Sequence, residues 1–278
     1  MSLLAAVLHV QADRALPSWL GRAAQAWLLE RIRCAAPKLA EALHDGQMRR
    51  PYTISGPRGQ GTDRWLRITS LSVDLTMLLS DAILPALRGQ SLKLAGVEIG
   101  IRAVETATHA WAGRSDYEAL ARLAFDSESL VAPGLEFSTP TTFHHDGLAV
   151  PVPLPSLVYG SLIHAWDSFS PLPLPAPLLP FVERCVGIAR HRIATRMVQF
   201  GGSEQHVGFI GTACYVVVPQ PSSGLSPGEY RQRVQLLDLL TRFAFYSGVG
   251  ARTAVGMGQV RPLSQLDQRS EDGEKPQS

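Results

Sequence analysis

Apolar positions along this chain repeat with two periods, and the switches between them lay out an order of strands and helices. Leu3 to Val10 is a short apolar run of strand length. Pro17 and Ser18 open a segment in which Leu20, Ala24, Trp27, Leu28 and Ile32 recur at helical spacing. After a polar stretch around His44, Pro51 to Ser55 is a short strand candidate. Arg64 to Val73 alternates bulky apolar and polar residues with a period near two, as a half-buried strand does. Asp74 is expected to cap the next helix, which should end near Arg88-Gly89, where a C-terminal glycine belongs. Ser91 to Val104 is strand-like again.

A polar, helix-prone connector covers Thr106 to Ser129, and then the order starts afresh. Leu135 to Phe143 reads as a strand, and Asp146-Gly147 signals a hairpin turn before Leu148 to Pro151. Helices are expected from about Pro155 to Phe169 and, after a proline-rich break, from Pro175 to Gly187. Ala189 to Phe200 and Val207 to Val218 form the next strand pair, joined by Gly201-Gly202-Ser203. Pro227 to Phe245 is a helix with Tyr230, Val234, Leu237 and Leu240 on one face, and Gln259 to Pro262 is a last strand. Each half therefore reads βαββαβ, and the fold class is α+β: two tandem ferredoxin-like (RRM-like) domains with a C-terminal Gly-rich loop. The expected division is 1–130, 131–262 and a disordered tail, 263–278.

Composition narrows the class without naming a function. Hydrophobic residues at 45% and charged residues at 18% describe a folded globular chain. No apolar run reaches the ~18 residues of a membrane span, and the N-terminus reads as a strand, not a signal peptide. Cys34, Cys185 and Cys214 are few, odd in number and widely spaced. That argues against a disulfide framework or zinc ribbon and favours a cytoplasmic protein. The formal charge is only +2, but 23 of the 26 basic residues are arginines. Arginine forks suit phosphate, and a GC-rich genome gives the same bias. The tail from Leu263 to Ser278 holds four acids and two bases, so the +2 total leaves +4 for the rest, mild support for an anionic partner.

The strongest local feature is Gly248-Val-Gly250-Ala-Arg252-Thr-Ala-Val-Gly256-Met-Gly258. Four glycines are expected to leave backbone N–H groups free to approach a phosphate, with Arg252 adding charge. A tight helix-to-strand connection explains the same glycines. The dinucleotide fingerprint fails because Thr stands at 253, and the P-loop pattern is absent.

A helix followed by this GxGxxxxxGxG pattern near the C-terminus resembles the signature of the CRISPR repeat endoribonucleases of the RAMP superfamily. Leu135 to Phe143 resembles that family's opening of the second domain. Arg192 to Arg196 followed by Val207 to Gly211 resembles its central hairpin. Pro37 to Asp45 followed by Pro51 to Ser55 resembles its N-terminal catalytic region. The resemblance spans roughly residues 3 to 262. It implies attack of an RNA 2′-hydroxyl on the adjacent phosphate, giving a 2′,3′-cyclic phosphate and a 5′-hydroxyl, with no metal and no cofactor. Such chemistry needs a group of near-neutral pKa to move protons and a cation beside the phosphorane.

His44 matches the position of the family's catalytic histidine. Arg50, just before Pro51, falls where some members carry a basic catalytic residue, and Arg49 is its rival. Some members also supply a tyrosine from the first helix, where Leu29 stands here, so the second proton-transfer group stays open. For RNA binding the expected residues are Gly248, Gly250, Arg252, Gly256 and Gly258 of the loop. Arg190, Arg192 and Arg196 join them, since a regular strand puts these three on one face.

The implied partner is repeat RNA (pre-crRNA), with CRISPR effector proteins and a second copy of the chain as open possibilities. The alternative is a catalytically silent RNA-binding subunit of a CRISPR effector complex. A nucleotide-binding regulator is disfavoured by the loop spacing. Tyr52, Trp65 and Phe143 fit either base stacking or core packing, with packing favoured. His144 and His145 at a hairpin tip lack the further ligands a metal would need, and His191 stands beside the arginine face.

Overall fold

The computed structural model describes residues 1–263 apart from 13, 15, 18, 45–48, 61–62, 127–132, 176, 202–203 and 219–223, and the backbone alone at 44, 60, 63 and 201. The first half runs β1 (Leu3–Ala12), α1 (Gly21–Ala35), α2 (Pro37–His44), β2 (Tyr52–Ile54), β3 (Arg58–Gln60) and β4 (Asp63–Ser70). It continues through α3 (Val73–Met77), a π-helical turn (Leu78–Ile83), α4 (Leu84–Leu87), β5 (Ser91–Leu94), β6 (Val97–Glu105), β7 (Gly113–Ser115) and α5 (Tyr117–Phe125). The second half runs β8 (Gly134–Thr141), β9 (Phe143–His145), β10 (Leu148–Val150), α6 (Pro155–Phe169) and α7 (Leu179–Cys185). Then come β11 (Val186–Gly201), β12 (Glu204–Val217), α8 (Pro227–Ser247) and β13 (Val260–Pro262).

The two larger sheets are antiparallel and share one topology, and β9 and β10 pair as a separate hairpin. The first is ordered β2-β4-β1-β6-β5, with β3 beside β4 and β7 beside β1. The second is ordered β11-β12-β8-β13. Numbered within each unit, the four principal strands lie in the order 2-3-1-4 twice over, which is the ferredoxin-like arrangement.

The apolar run of β1 is continuous because both its faces are covered. Leu4, Ala6, Leu8 and Val10 enter a core with Leu28 and Ile32 of α1 and Leu66 and Ile68 of β4. Leu3 and Ala5 enter the second unit's core, beside Leu237, Leu240 and Phe243 of α8 and Val158 and Leu162 of α6. The two units therefore share packed interior, and Tyr117 of α5 joins the same cluster.

Several local expectations change. Ser72, extended at φ −126°, is the N-cap of α3, and Asp74 falls in the first turn, where its charge suits the positive end of the helix. Pro85 lacks the donor an α-helix needs, and the ladder before it widens: Leu84 N–H bonds Leu79 O, five residues back. Ser91 to Val104 is a hairpin, not one strand, turning through Ala95 (φ 47°) and Gly96 (φ 78°). The connector from Thr106 holds β7, which pairs with β1, and α5, whose cap Asp116 accepts from Ala119 N at 2.8 Å. The helix expected from Pro175 starts only at Leu179, after the prolines at 175 and 177. Residues 264–278, the expected tail, lie outside the described residues.

Candidate active site

His44 closes α2. Its side chain and residues 45–48 lie outside the described residues, so the expected catalytic histidine is located by its backbone alone. The chain returns at Arg49 and Arg50, both half-buried, and Pro51 O then accepts from Leu71 N to start the β2 pairing. Arg49 reaches into the second unit. Its Nη1 donates to Ser161 O on α6 at 3.3 Å, while Nη2 is buried and has no hydrogen-bond partner among the described residues. Burial holds its pKa below the usual arginine value.

Ser161 also accepts, through Oγ, from Gly250 N at 2.9 Å. One residue of α6 thus ties the segment after His44 to the Gly-rich loop. Nothing in the sequence flagged Ser161, because a serine inside an amphipathic helix has no signature.

The loop itself overturns one expectation. The four glycine N–H groups are not free: Gly248 donates to Ala244 O, Gly250 to Ser161 Oγ, Gly256 to Thr253 O and Gly258 to Pro140 O. Gly248, Gly256 and Gly258 are buried. The glycines are required by packing and backbone angle. At Gly250 (φ 80°) a Cβ would strike Thr142 O, and at Gly258 (φ 66°) it would strike Val249 O. What the loop presents outward is Arg252, exposed and in the left-handed region at φ 61°.

Arg190, Arg192 and Arg196 do share a face of β11, opposite Cys214, Thr212 and Gly208 of β12, despite a bulge between Ile188 and Arg190. They are not equivalent. Arg192 and Arg196 are exposed, whereas Arg190 is half-buried with Nη2 3.9 Å from Cys214 Sγ. His191 is exposed on the other face, opposite Ala213.

A buried polar network joins the two units behind the loop. Arg67, fully buried, donates from Nε to Trp111 O at 2.9 Å, from Nη1 to Gln259 Oε1 at 2.9 Å and from Nη2 to Phe245 O at 2.5 Å. Its guanidinium lies over the Phe245 ring at 4.4 Å. Burial, with Arg58 nearby, pushes its pKa down to about 9. Gln259, the residue after Gly258, donates to Thr53 Oγ1 at 3.0 Å, and Thr53 Oγ1 lies 2.8 Å from Thr69 Oγ1. The network therefore connects β2, which follows Arg50, to the end of the Gly-rich loop.

Tyr52, Trp65 and Phe143 are buried, as core residues are, and Leu29 packs half-buried on the first core. His144 and His145 are exposed on β9, and among the described residues no three His, Cys, Asp or Glu side chains are grouped as metal ligands. No described helix is long and apolar enough to cross a membrane.

The model of the CRISPR-associated endoribonuclease Cas6 family matches residues 135–260, which is the second unit from β8 into β13. No curated protein matches the sequence. Among solved structures, a Cas6 product complex superposes with a TM-score of 0.78 at 29% identity, covering 95% of this chain and all of the other. A product complex of a Cas6 from Thermus thermophilus gives 0.78 at 27% identity, covering 94% of this chain and all of the other. A Cas6-related protein from Pyrococcus furiosus, at 12% identity and a TM-score of 0.57, shares the fold alone. The family pattern thus fills the second unit, and the fold of solved Cas6 structures extends along nearly the whole chain.

Proposed function

We propose that this protein cuts CRISPR repeat RNA without a metal ion, using the 2′-hydroxyl of the RNA as nucleophile. His44 takes the proton from the 2′-hydroxyl or delivers one to the leaving 5′-oxygen. The 2′-oxygen bonds to phosphorus as the P–O5′ bond breaks, leaving a 2′,3′-cyclic phosphate and a 5′-hydroxyl. Imidazole suits either proton transfer because its ordinary pKa lies near neutrality.

Arg49 or Arg50 stabilises the charge that gathers on the phosphorane oxygens. The observation that carries this reading is the meeting at Ser161. Arg49 follows His44 by five residues and bonds Ser161 O, while Gly250 of the loop bonds Ser161 Oγ. Arg49 is favoured over Arg50 because its Nη2 is already desolvated and has no hydrogen-bond partner among the described residues. A preorganised donor in a partly dry site stabilises developing charge far better than one in water.

Arg252, Arg192 and Arg196 hold the RNA backbone, with Arg190 contributing less because it is half-buried. Gly248, Gly250, Gly256 and Gly258 act through the shape of the loop, not through free N–H groups. The units fall at 1–130 and 131–262, the RNA is the partner, and the site of action is the cytoplasm.

The test is incubation of purified protein with its cognate repeat RNA in EDTA. The reading expects cleavage at one position with a cyclic phosphate end. Tight binding without cleavage would favour the silent RNA-binding subunit instead.

A further inference from the structure

Glu204, the first residue of β12, is gripped by three basic side chains. Its Oε2 lies 2.5 Å from Arg22 Nη2, and its Oε1 lies 2.9 Å from His206 Nε2 and 3.4 Å from Arg252 Nη2. These bases come from separate elements: Arg22 from the first turn of α1, His206 from β12 and Arg252 from the Gly-rich loop. Both guanidiniums also lie over one ring, Phe200, at 5.0 and 5.4 Å from its centroid. Phe200 is only 8% exposed and is wedged edge-on against Trp19 and His206. The platform that orients the two arginines is therefore rigid.

The charges do not balance. Two permanent cations face one carboxylate, so a positive charge is left over, and protonated His206 would add another. The first turn of α1 contains no acid, and its N-cap, Leu20, supplies no side-chain cap. A carboxylate and the two non-bridging oxygens of a phosphodiester offer similar two-pronged faces to a guanidinium.

We propose that Arg22, Arg252 and His206 form a receptor for one phosphodiester of the RNA backbone, which Glu204 fills in the free protein and the RNA displaces. The proposal rests on the RNA-processing reading above and deepens it by naming what the exposed end of the Gly-rich loop engages. Displacement is mild because the pair side chains are open to water, at 47% for Arg22, 34% for Arg252 and 37% for Glu204. Ion pairs that exposed contribute little net stability. The hydrogen bonds from His206 and Arg22 keep the carboxyl below its usual pKa, so the occupant is anionic.

Glu204→Gln tests this with two probes: a 2′-O-methyl repeat RNA, which lacks the attacking hydroxyl, and inorganic pyrophosphate followed by calorimetry. Both should bind about fivefold tighter or more, and the gain should vanish when Arg22→Ala and Arg252→Ala are added. Glu204→Asp, which keeps the charge on a shorter arm, should gain less. Glu98→Gln, the same charge change on β6, should leave both affinities unaltered. Weaker or unchanged binding by Glu204→Gln, or a gain that survives loss of the two arginines, would overturn the proposal. So would loss of cooperative melting in Glu204→Gln, which would make the carboxylate a structural strut. Tighter pyrophosphate binding by a protein that ignores the RNA probe would keep the anion receptor and remove the RNA-processing reading.

Discussion

Replacing Arg67 with Met should loosen the joint between the two units. Three oxygens, Trp111 O, Gln259 Oε1 and Phe245 O, take their hydrogen bonds from this one guanidinium. Met fills comparable volume and supplies no donor. Each buried acceptor left unsatisfied costs about 1–3 kcal/mol. An opposing term comes from the charge: none of the three oxygens belongs to a carboxylate, and burying a cation that way is itself unfavourable, as its lowered pKa shows. Since Met relieves the charge but takes the guanidinium's donors from two backbone carbonyls and leaves Gln259 Oε1 only its 3.5 Å contact with Thr53 Oγ1, the net loss should be about 2–4 kcal/mol. For a chain of this size that corresponds to a fall in Tm of roughly 4–16 °C.

Cleavage should fall as well, because Gln259 directly follows the Gly-rich loop and Thr53 closely follows Arg50. The assay is thermal unfolding by circular dichroism at constant pH, paired with single-turnover cleavage at a temperature where both proteins are folded. An unchanged or higher Tm would refute the reasoning and show that relief of the buried charge outweighs the lost hydrogen bonds.

Gly250→Ala and Gly258→Ala should each cost more than about 1 kcal/mol of stability, read as a lower Tm, since the added Cβ strikes backbone oxygen at a positive φ; a folded, equally stable variant with weak RNA binding would restore the idea of direct glycine contacts. Arg252→Ala should reduce RNA affinity and flatten the log–log salt slope by about 0.7–0.9, measured by fluorescence anisotropy across salt concentrations. Among the β11 arginines, Arg192→Ala and Arg196→Ala should each weaken binding more than Arg190→Ala in the same assay, following their exposure. Arg49→Ala should depress single-turnover cleavage more than Arg50→Ala, and the reverse order would transfer the phosphorane role to Arg50.

Much of the fold was legible because its signals are local. The bounds of α6 follow from Pro155 and the apolar period, and α8 starts at Pro227 as expected, with Ser226 and Glu229 forming a capping box there. The π-helical turn before Pro85 was not legible, since a proline alone does not say how its helix will adapt. Arg67 occupies a polar position in an alternating strand and so looks solvent-facing. The packing of α8, Trp111 and Gln259 across that face buries it.

The Gly-rich loop was found by spacing, but its glycines look the same in sequence whether they free an N–H or make room for a neighbour. Ser161 and Glu204 join segments about 90 and 180 residues apart, as tertiary contacts that no local pattern encodes. The arginine face of β11 was read from strand alternation and holds, although its members differ in burial for reasons of neighbouring side chains.

The claim at the centre of this account is that His44 moves a proton in the bond-breaking step. Single-turnover cleavage of the cognate repeat RNA in EDTA, comparing wild type with a folded His44→Ala variant, tests it most directly. The account predicts a rate lower by about 10²–10⁴-fold with RNA affinity nearly unchanged and a cyclic phosphate end on the wild-type product. Near-wild-type cleavage by His44→Ala would contradict it and move the search to His191, on the strand that carries the exposed arginines.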